Sequence, residues 1–122
     1  MNLIEKFRDN LRNFGQEVAF RIGDQSYSYN YFQSIINKYR ILLESQVEFS
    51  VQQPVGVLCN ERIETYAAIF AIWFSGGIFV PINSGLPPVV LNELIEIYTL
   101  KIVFSADELP EGINTCLRRW DT

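Results

Sequence analysis

Histidine is missing altogether from these 122 residues. Its absence removes zinc sites of the Cys/His type and every catalytic scheme that draws on an imidazole base. Cysteine is scarce as well: Cys59 and Cys116 stand far apart and are too few for a disulfide framework. Cys59, at the end of an apolar run, reads as a small buried hydrophobe. No GxGxxG or GxxxxGK(S/T) pattern occurs. The longest apolar run, Tyr66 to Phe74, falls well short of the roughly 20 residues that a membrane span needs. Met1 to Lys6 mixes charges without an apolar core, so no signal peptide is expected. Basic residues are outnumbered, giving a net charge of -4 and an isoelectric point near 4.8. A nucleic-acid partner would need a basic face, and the pair Arg118-Arg119 reads only as a solvated helix face. A cytoplasmic protein with no membrane and no nucleic-acid partner is the expectation.

Hydrophobic residues make up 48% of the chain and charged residues 20%, a balance that excludes disorder. The length fits one α/β domain over residues 1–122. Leu3, Phe7, Leu11 and Phe14 recur at helical spacing, with Gly15 as the stop. Val18 to Ile22 and Ser26 to Tyr29 read as two strands of a hairpin turning at Gly23-Asp24-Gln25. A second helix is expected from Asn30, capped by Asn30 with Gln33 completing a capping box. Its buried face would be Phe32, Ile35, Ile36, Tyr39, Leu42 and Leu43. Glu44 to Pro54 reads as a loop.

Val55 to Cys59 then reads as a strand, Glu61 to Phe74 as a helix capped by Asn60, and Ile78 to Ile82 as a second strand. That helix is apolar all round from Tyr66 to Phe74, so it must be covered on most sides. Little of the chain is left over to cover it, which points to a dimer partner or to sequence outside these residues. Pro87-Pro88 opens a fourth helix presenting Leu91, Leu94, Ile95 and Tyr98. A strand from Lys101 to Ser105 follows, and the spacing Ile113, Cys116, Leu117, Trp120 predicts a short closing helix. Strands alternating with helices from Val55 onward imply a doubly wound, mainly parallel sheet, preceded by a helix, a hairpin and a second helix.

Candidate chemistry is thin. Gly76-Gly77 suggests a phosphate loop, but such loops present backbone N–H groups at a helix N-terminus. This pair follows a helix C-terminus, where carbonyls point, and reads as a helix stop. Glu61 with Glu64, and Glu93 with Glu96, share helix faces without a histidine or cysteine partner, and read as solvated or helix-start charge rather than as an acid–base couple or metal site. Ser75, Ser84 and Ser105 lack an activating base. The aromatics Phe7, Phe32, Tyr39, Phe70, Trp73 and Phe74 fall at core spacing, without the interleaved basic residues of a stacking platform. No catalytic residue, no metal ligand and no cofactor-binding residue is named.

The order of these landmarks resembles the N-terminal portion of the adenylate-forming ligases, such as acyl-CoA synthetases and peptide-synthetase adenylation domains. The hairpin leads into Ser28-Tyr29-Asn30-Tyr31-Phe32, similar to the family's Ser/Thr-Tyr-x-Glu-Leu. Val55-Gly56-Val57 is similar to its "VGV" strand. The helix from Glu61 to Phe74 runs into Ser75-Gly76-Gly77-Ile78-Phe79-Val80-Pro81-Ile82-Asn83, which resembles "aGgayvPld". Pro87, the Leu91 to Tyr98 helix and the Lys101 to Ser105 strand complete the match. Asn83 replaces the usual aspartate and Val90 the usual arginine, marks of a divergent member.

The resemblance implies an ATP-dependent enzyme, with magnesium, that activates a carboxylic or amino acid as acyl-AMP. It then passes the acyl group to a thiol, coenzyme A or a carrier protein. The "vPi…P" wording favours an amino-acid substrate. The family's phosphate-binding loop, adenine-binding aromatic motif, ribose-binding aspartate, hinge and C-terminal lysine all lie downstream of this region and are not found here. The chain is therefore expected to be scaffold: inactive alone, binding neither ATP nor magnesium, and continuing past Thr122. The alternative is a stand-alone, non-catalytic interaction module that binds a partner or forms a homodimer through the Tyr66 to Phe74 helix.

Overall fold

In the computed structural model, the structure describes residues 3–47, 49–105 and 117–119. A helix α1 (Leu3–Phe14) is followed by a hairpin of β1 (Val18–Ile22) and β2 (Gln25–Ser28), then by α2 (Tyr29–Glu44). The alternating part comprises β3 (Pro54–Cys59), α3 (Ile63–Phe74), β4 (Ile78–Asn83), α4 (Pro88–Ile97), β5 (Val103–Ser105) and β6 (Leu117–Arg119). The last four strands form one parallel sheet in the order β4-β3-β5-β6, and β1 and β2 form a separate antiparallel ribbon. The doubly wound parallel class read from the sequence is the one observed.

Register and alternation explain why the sheet has two buried faces. Val55 and Val57 of β3 join Ile102 and Phe104 in a cluster with α1, α2 and α3. Leu58 and Val103 project to the other face, against Ile82 and against Leu91 and Ile95 of α4. Gly56 leaves the room that this second face needs: a Cβ there would lie 2.8 Å from Ile82 Cδ1 and 3.1 Å from Leu100 Cδ1. β4 is an edge strand of the sheet as described, and it carries Pro81 opposite Val57. Proline lacks an N–H for the ladder, so it belongs on such an edge.

α3 is the buried centre. Not one of its residues is exposed, and Ala67, Ala68, Ala71 and Ile72 are wholly shielded. The side away from the sheet is closed by aromatic contacts: Phe7 of α1 lies 4.9 Å from Phe70, Phe32 of α2 lies 5.4 Å from it, and Phe20 of β1 lies 5.2 Å from Tyr66. This corrects the expectation that α3 needs a second copy or missing sequence to cover it. The opening helix, the hairpin and α2 do so within the chain. Removing a large apolar side chain from water contributes about 1.5–3 kcal/mol, so this cluster outweighs any surface ion pair.

The helix ends differ from the sequence reading in three places. Ser28, not Asn30, caps α2: its Oγ accepts the N–H of Tyr31 at 3.1 Å. Asn30 is already helical there and donates its own N–H to the Gly15 carbonyl at 3.0 Å. α3 starts later than expected, with Arg62 at the N-cap and no side-chain cap bond, while Asn60 lies upstream and accepts from the Thr65 hydroxyl at 2.5 Å. The closing helix is overturned where it falls on described residues: Leu117–Arg119 is a strand parallel to β5. Ile113, Cys116 and Trp120 lie outside the described residues.

Two helices end in the same left-handed turn with different residues. After α3, Gly76 has φ +82°, its N–H donates to Trp73 O at 3.1 Å and that of Gly77 to Ile72 O at 2.8 Å. After α4, Thr99 has φ +53°, donating to Glu96 O at 3.2 Å, while Leu100 donates to Ile95 O at 2.8 Å. Both are Schellman turns. Glycine takes this conformation freely, whereas a β-branched residue is strained in it. Gly76→Ala is expected to cost about 1–2 kcal/mol and Thr99→Gly to add about 1 kcal/mol. Urea denaturation of the two purified variants checks both signs, and a lower midpoint for Thr99→Gly would refute the strain argument.

Candidate functional site

In a right-handed winding, reversing direction along the sheet moves the crossover helix to the opposite face. The β3–α3–β4 connection runs to one side of β3, and the β4–α4–β5 connection returns past it to the other. The two helices accordingly pack on opposite faces. The reversal point lies between the carboxyl ends of β3 and β5, where open α/β sheets hold their ligands.

The residues at this edge are Cys59 and Asn83, paired in register, with Ser105 opposite Leu58. Their polar atoms are engaged in local structure. Cys59 Sγ points at the Val57 carbonyl at 3.4 Å, and Asn83 Oδ1 accepts the N–H of Gly85 at 2.8 Å. Asn60 holds Thr65 in the first turn of α3. Ser105 is buried. Among the described residues, charge is brought to this edge by Glu61 and by Arg62, whose guanidinium lies 3.6 Å from Glu64. The chain has no histidine to serve Cys59 or Ser105 as an imidazole base.

The other sequence candidates are not brought together. Gly76-Gly77 closes the carbonyl end of α3 and cannot present N–H groups to a phosphate at a helix start. Glu61, Glu93 and Glu96 are exposed. Ser75 is buried and donates to Glu44 Oε1 at 2.9 Å, and Arg40 also reaches that oxygen at 3.3 Å. This clamp ties α2 to the end of α3. The Arg8 and Arg40 guanidiniums sit 4.9 and 5.8 Å from the Phe74 ring, where the helix dipole is negative and α3 has no basic residue of its own.

Sequence reasoning did not find the cleft of about 260 Å³ between α1, β1 and α3, lined by Lys6, Asn10, Phe20, Tyr29 and Phe70 among others. Asn10 Nδ2 donates to the Tyr29 hydroxyl there at 3.2 Å. It went unseen because its walls come from segments far apart in sequence and carry no motif. Its lining is aromatic apart from Lys6, Asn10 and Ala19, and includes no carboxylate. Among the described residues no group of three or more His, Cys, Asp or Glu can hold a metal. No helix among the described residues is long and apolar enough to cross a membrane.

Many solved structures share this architecture. The N-terminal subdomain of Klebsiella oxytoca NpsA in complex with 3-hydroxybenzoyl-AMSN has a TM-score of 0.81 at 18% identity, over 98% of this chain and 30% of that one. An artificially fused NpsA-ThdA adenylation-PCP di-domain from the same organism has a TM-score of 0.82 at 18% identity, over 97% and 22%. The nonribosomal peptide synthetase FmoA3 in its AMPPNP-bound form has a TM-score of 0.80 at 26% identity, over 98% and 13%. The chain thus spans less than a third of each. Comparison with curated proteins gives no match. The sequence model of the family described as AMP-binding enzyme matches residues 7–119, nearly the whole chain, and on that match the chain belongs to the N-terminal part of this adenylate-forming family.

Proposed function

We propose that this chain is the N-terminal scaffold of a larger cytoplasmic ligase that uses ATP and magnesium to activate a carboxylic or amino acid as an acyl-adenylate. The acyl group would then pass to a thiol. The observation that carries the reading is the family match over residues 7–119, in a chain that spans less than a third of the similar solved structures. Scaffold and chemistry are then divided between this segment and the rest of the protein, which would hold the nucleotide, the metal and the reacting groups. An amino-acid or aryl-acid substrate and a carrier-protein acceptor are favoured over a fatty acid and coenzyme A. The resembling structures include a 3-hydroxybenzoyl-AMSN complex and an adenylation-PCP fusion.

Within such an enzyme the chain's own contribution is mechanical. Its parallel sheet, packed on both faces, gives the following segments a rigid wall. Carboxylate-dependent ATP–pyrophosphate exchange tests the division. The full-length protein carrying this segment is expected to exchange with at least one acid of a panel of amino, aryl and fatty acids, and the purified 122-residue chain with none. Exchange above background by the chain alone would refute the scaffold reading. Full-length protein silent across the panel would refute the ligase reading.

A further inference from the structure

The cleft between α1, β1 and α3 is layered from an apolar floor to a charged rim. Phe7 and Phe70 lie at its base, 6% and 9% exposed, Phe20 and Tyr29 form half-buried walls, and Lys6 stands exposed at the mouth. The rings cannot swing in to close it without losing one another: Phe7 packs 4.9 Å from Phe70 and 5.6 Å from Tyr29, and Phe20 packs 4.6 Å from Phe32. Ala19, the smallest side chain of β1, also lines the cleft and fills little of the space. The polar groups here have capacity to spare. Lys6 has no carboxylate within ion-pair distance among the described residues, and the lining itself includes none. The Tyr29 hydroxyl accepts from Asn10 at 3.2 Å, so its own proton is left to give, and no described residue takes it. A half-buried phenol normally finds an acceptor.

We infer that this cleft binds a free aromatic carboxylic acid of one or two rings, with the ring inward on the phenyl floor and the carboxylate at the rim. Three features select that chemistry. A single cation with no carboxylate beside it in the lining favours an anion. The spare Tyr29 proton adds a donor that suits a carboxylate oxygen and nothing cationic. Phe7 meets Phe70 and Tyr29 at tilts of 40° and 48°, so the walls offer both ring edges and ring faces. A flat, rigid ring meets such walls better than a flexible chain, which would also lose more rotamer freedom on binding. The volume of about 260 Å³ suffices, since an apolar cavity of roughly 150 Å³ holds benzene. The bound acid would touch α1, β1, α2 and α3 at once, and so clip the opening helix and the hairpin onto the buried centre. Sharing no residue with the carboxyl edge of the sheet, this site is independent of the ligase reading.

Methyl NMR of the full-length protein carrying this segment, labelled at alanine and titrated with 2-naphthoate, tests the site. Ala19 lines the cleft, whereas Ala67, Ala68 and Ala71 are wholly shielded and report that the protein stays folded. The Ala19 methyl is expected to shift by ring current and to saturate with a midpoint near or below about 1 mM, as for a ligand of that size and modest efficiency. Lys6→Gln, at an exposed position outside the core, is expected to weaken naphthoate about fivefold. The neutral 2-naphthamide should bind more weakly than naphthoate and be indifferent to that substitution. An Ala19 methyl that stays still up to about 10 mM naphthoate would overturn the proposal, whether the rest of the polypeptide fills the cleft or the acid binds only elsewhere. Naphthoate held equally well by Lys6→Gln, or naphthamide held as tightly as naphthoate, would overturn it too, since the cleft would then be a hydrophobic gap that selects no anion.

Discussion

A helix with no polar side persists in water only when its neighbours enclose it, and the arrangement of this chain follows from that requirement. α3 places alanine, isoleucine and aromatic side chains around its whole circumference. The sheet covers one side through Val55, Val57 and Phe104. The other side falls to three segments that precede it: α1 contributes Phe7, the hairpin contributes Phe20, and α2 contributes Phe32, Ile36, Tyr39 and Leu43. None of these has a comparable core of its own. A two-stranded ribbon is marginal in isolation, and β1–β2 is held by Phe20 lying between Phe32 and Tyr66. Hairpin and helices are thus ordered by the same surface that they cover.

Winding direction sets the second constraint. With α3 on one face, the reversal from β4 back across β3 carries α4 to the other. Both faces of β3 are then buried, which its wholly apolar run of alternating partners requires. The turn leaving α3 must be tight enough to bring Ile78 into pairing beside Pro54. Gly76 allows this by taking a conformation that other residues resist. The glycines that resemble a ligand motif in sequence are therefore explained by the path of the chain.

Much of the fold was legible because its signals are local. The periodicity of Phe32, Ile36, Tyr39 and Leu43, the Gly76-Gly77 stop, Pro88 in a first turn and the apolar runs of β3 and β4 each fix an element by themselves. What failed depended on choices between neighbours or on tertiary partners. Ser28 and Asn30 are both good caps, and only the register of β2 against β1, which leaves Ser28 as the last strand residue, decides between them. The strand at Leu117–Arg119 is too short to show a period, and its partner β5 lies outside any local window. The cover of α3 was missed because no local rule says that an opening helix and a hairpin fold back on it. The aromatic cleft was missed for the same reason.

The sequence names no site residue, and several polar side chains among the described residues are engaged in local structure. At the carboxyl edge of the sheet these bonds are local: Asn83 closes its own turn, Asn60 accepts from the Thr65 hydroxyl, and Cys59 lies against the Val57 carbonyl. Ser75 and Glu44 are committed to each other at the far end of α3. A group engaged in this way would have to break a bond worth about 1 kcal/mol, and strand its partner, before it could bind anything else. Such a layer gains rigidity at the expense of reactivity. A scaffold belongs where the chain has its most self-consistent packing, and the chemistry belongs where side chains remain uncommitted.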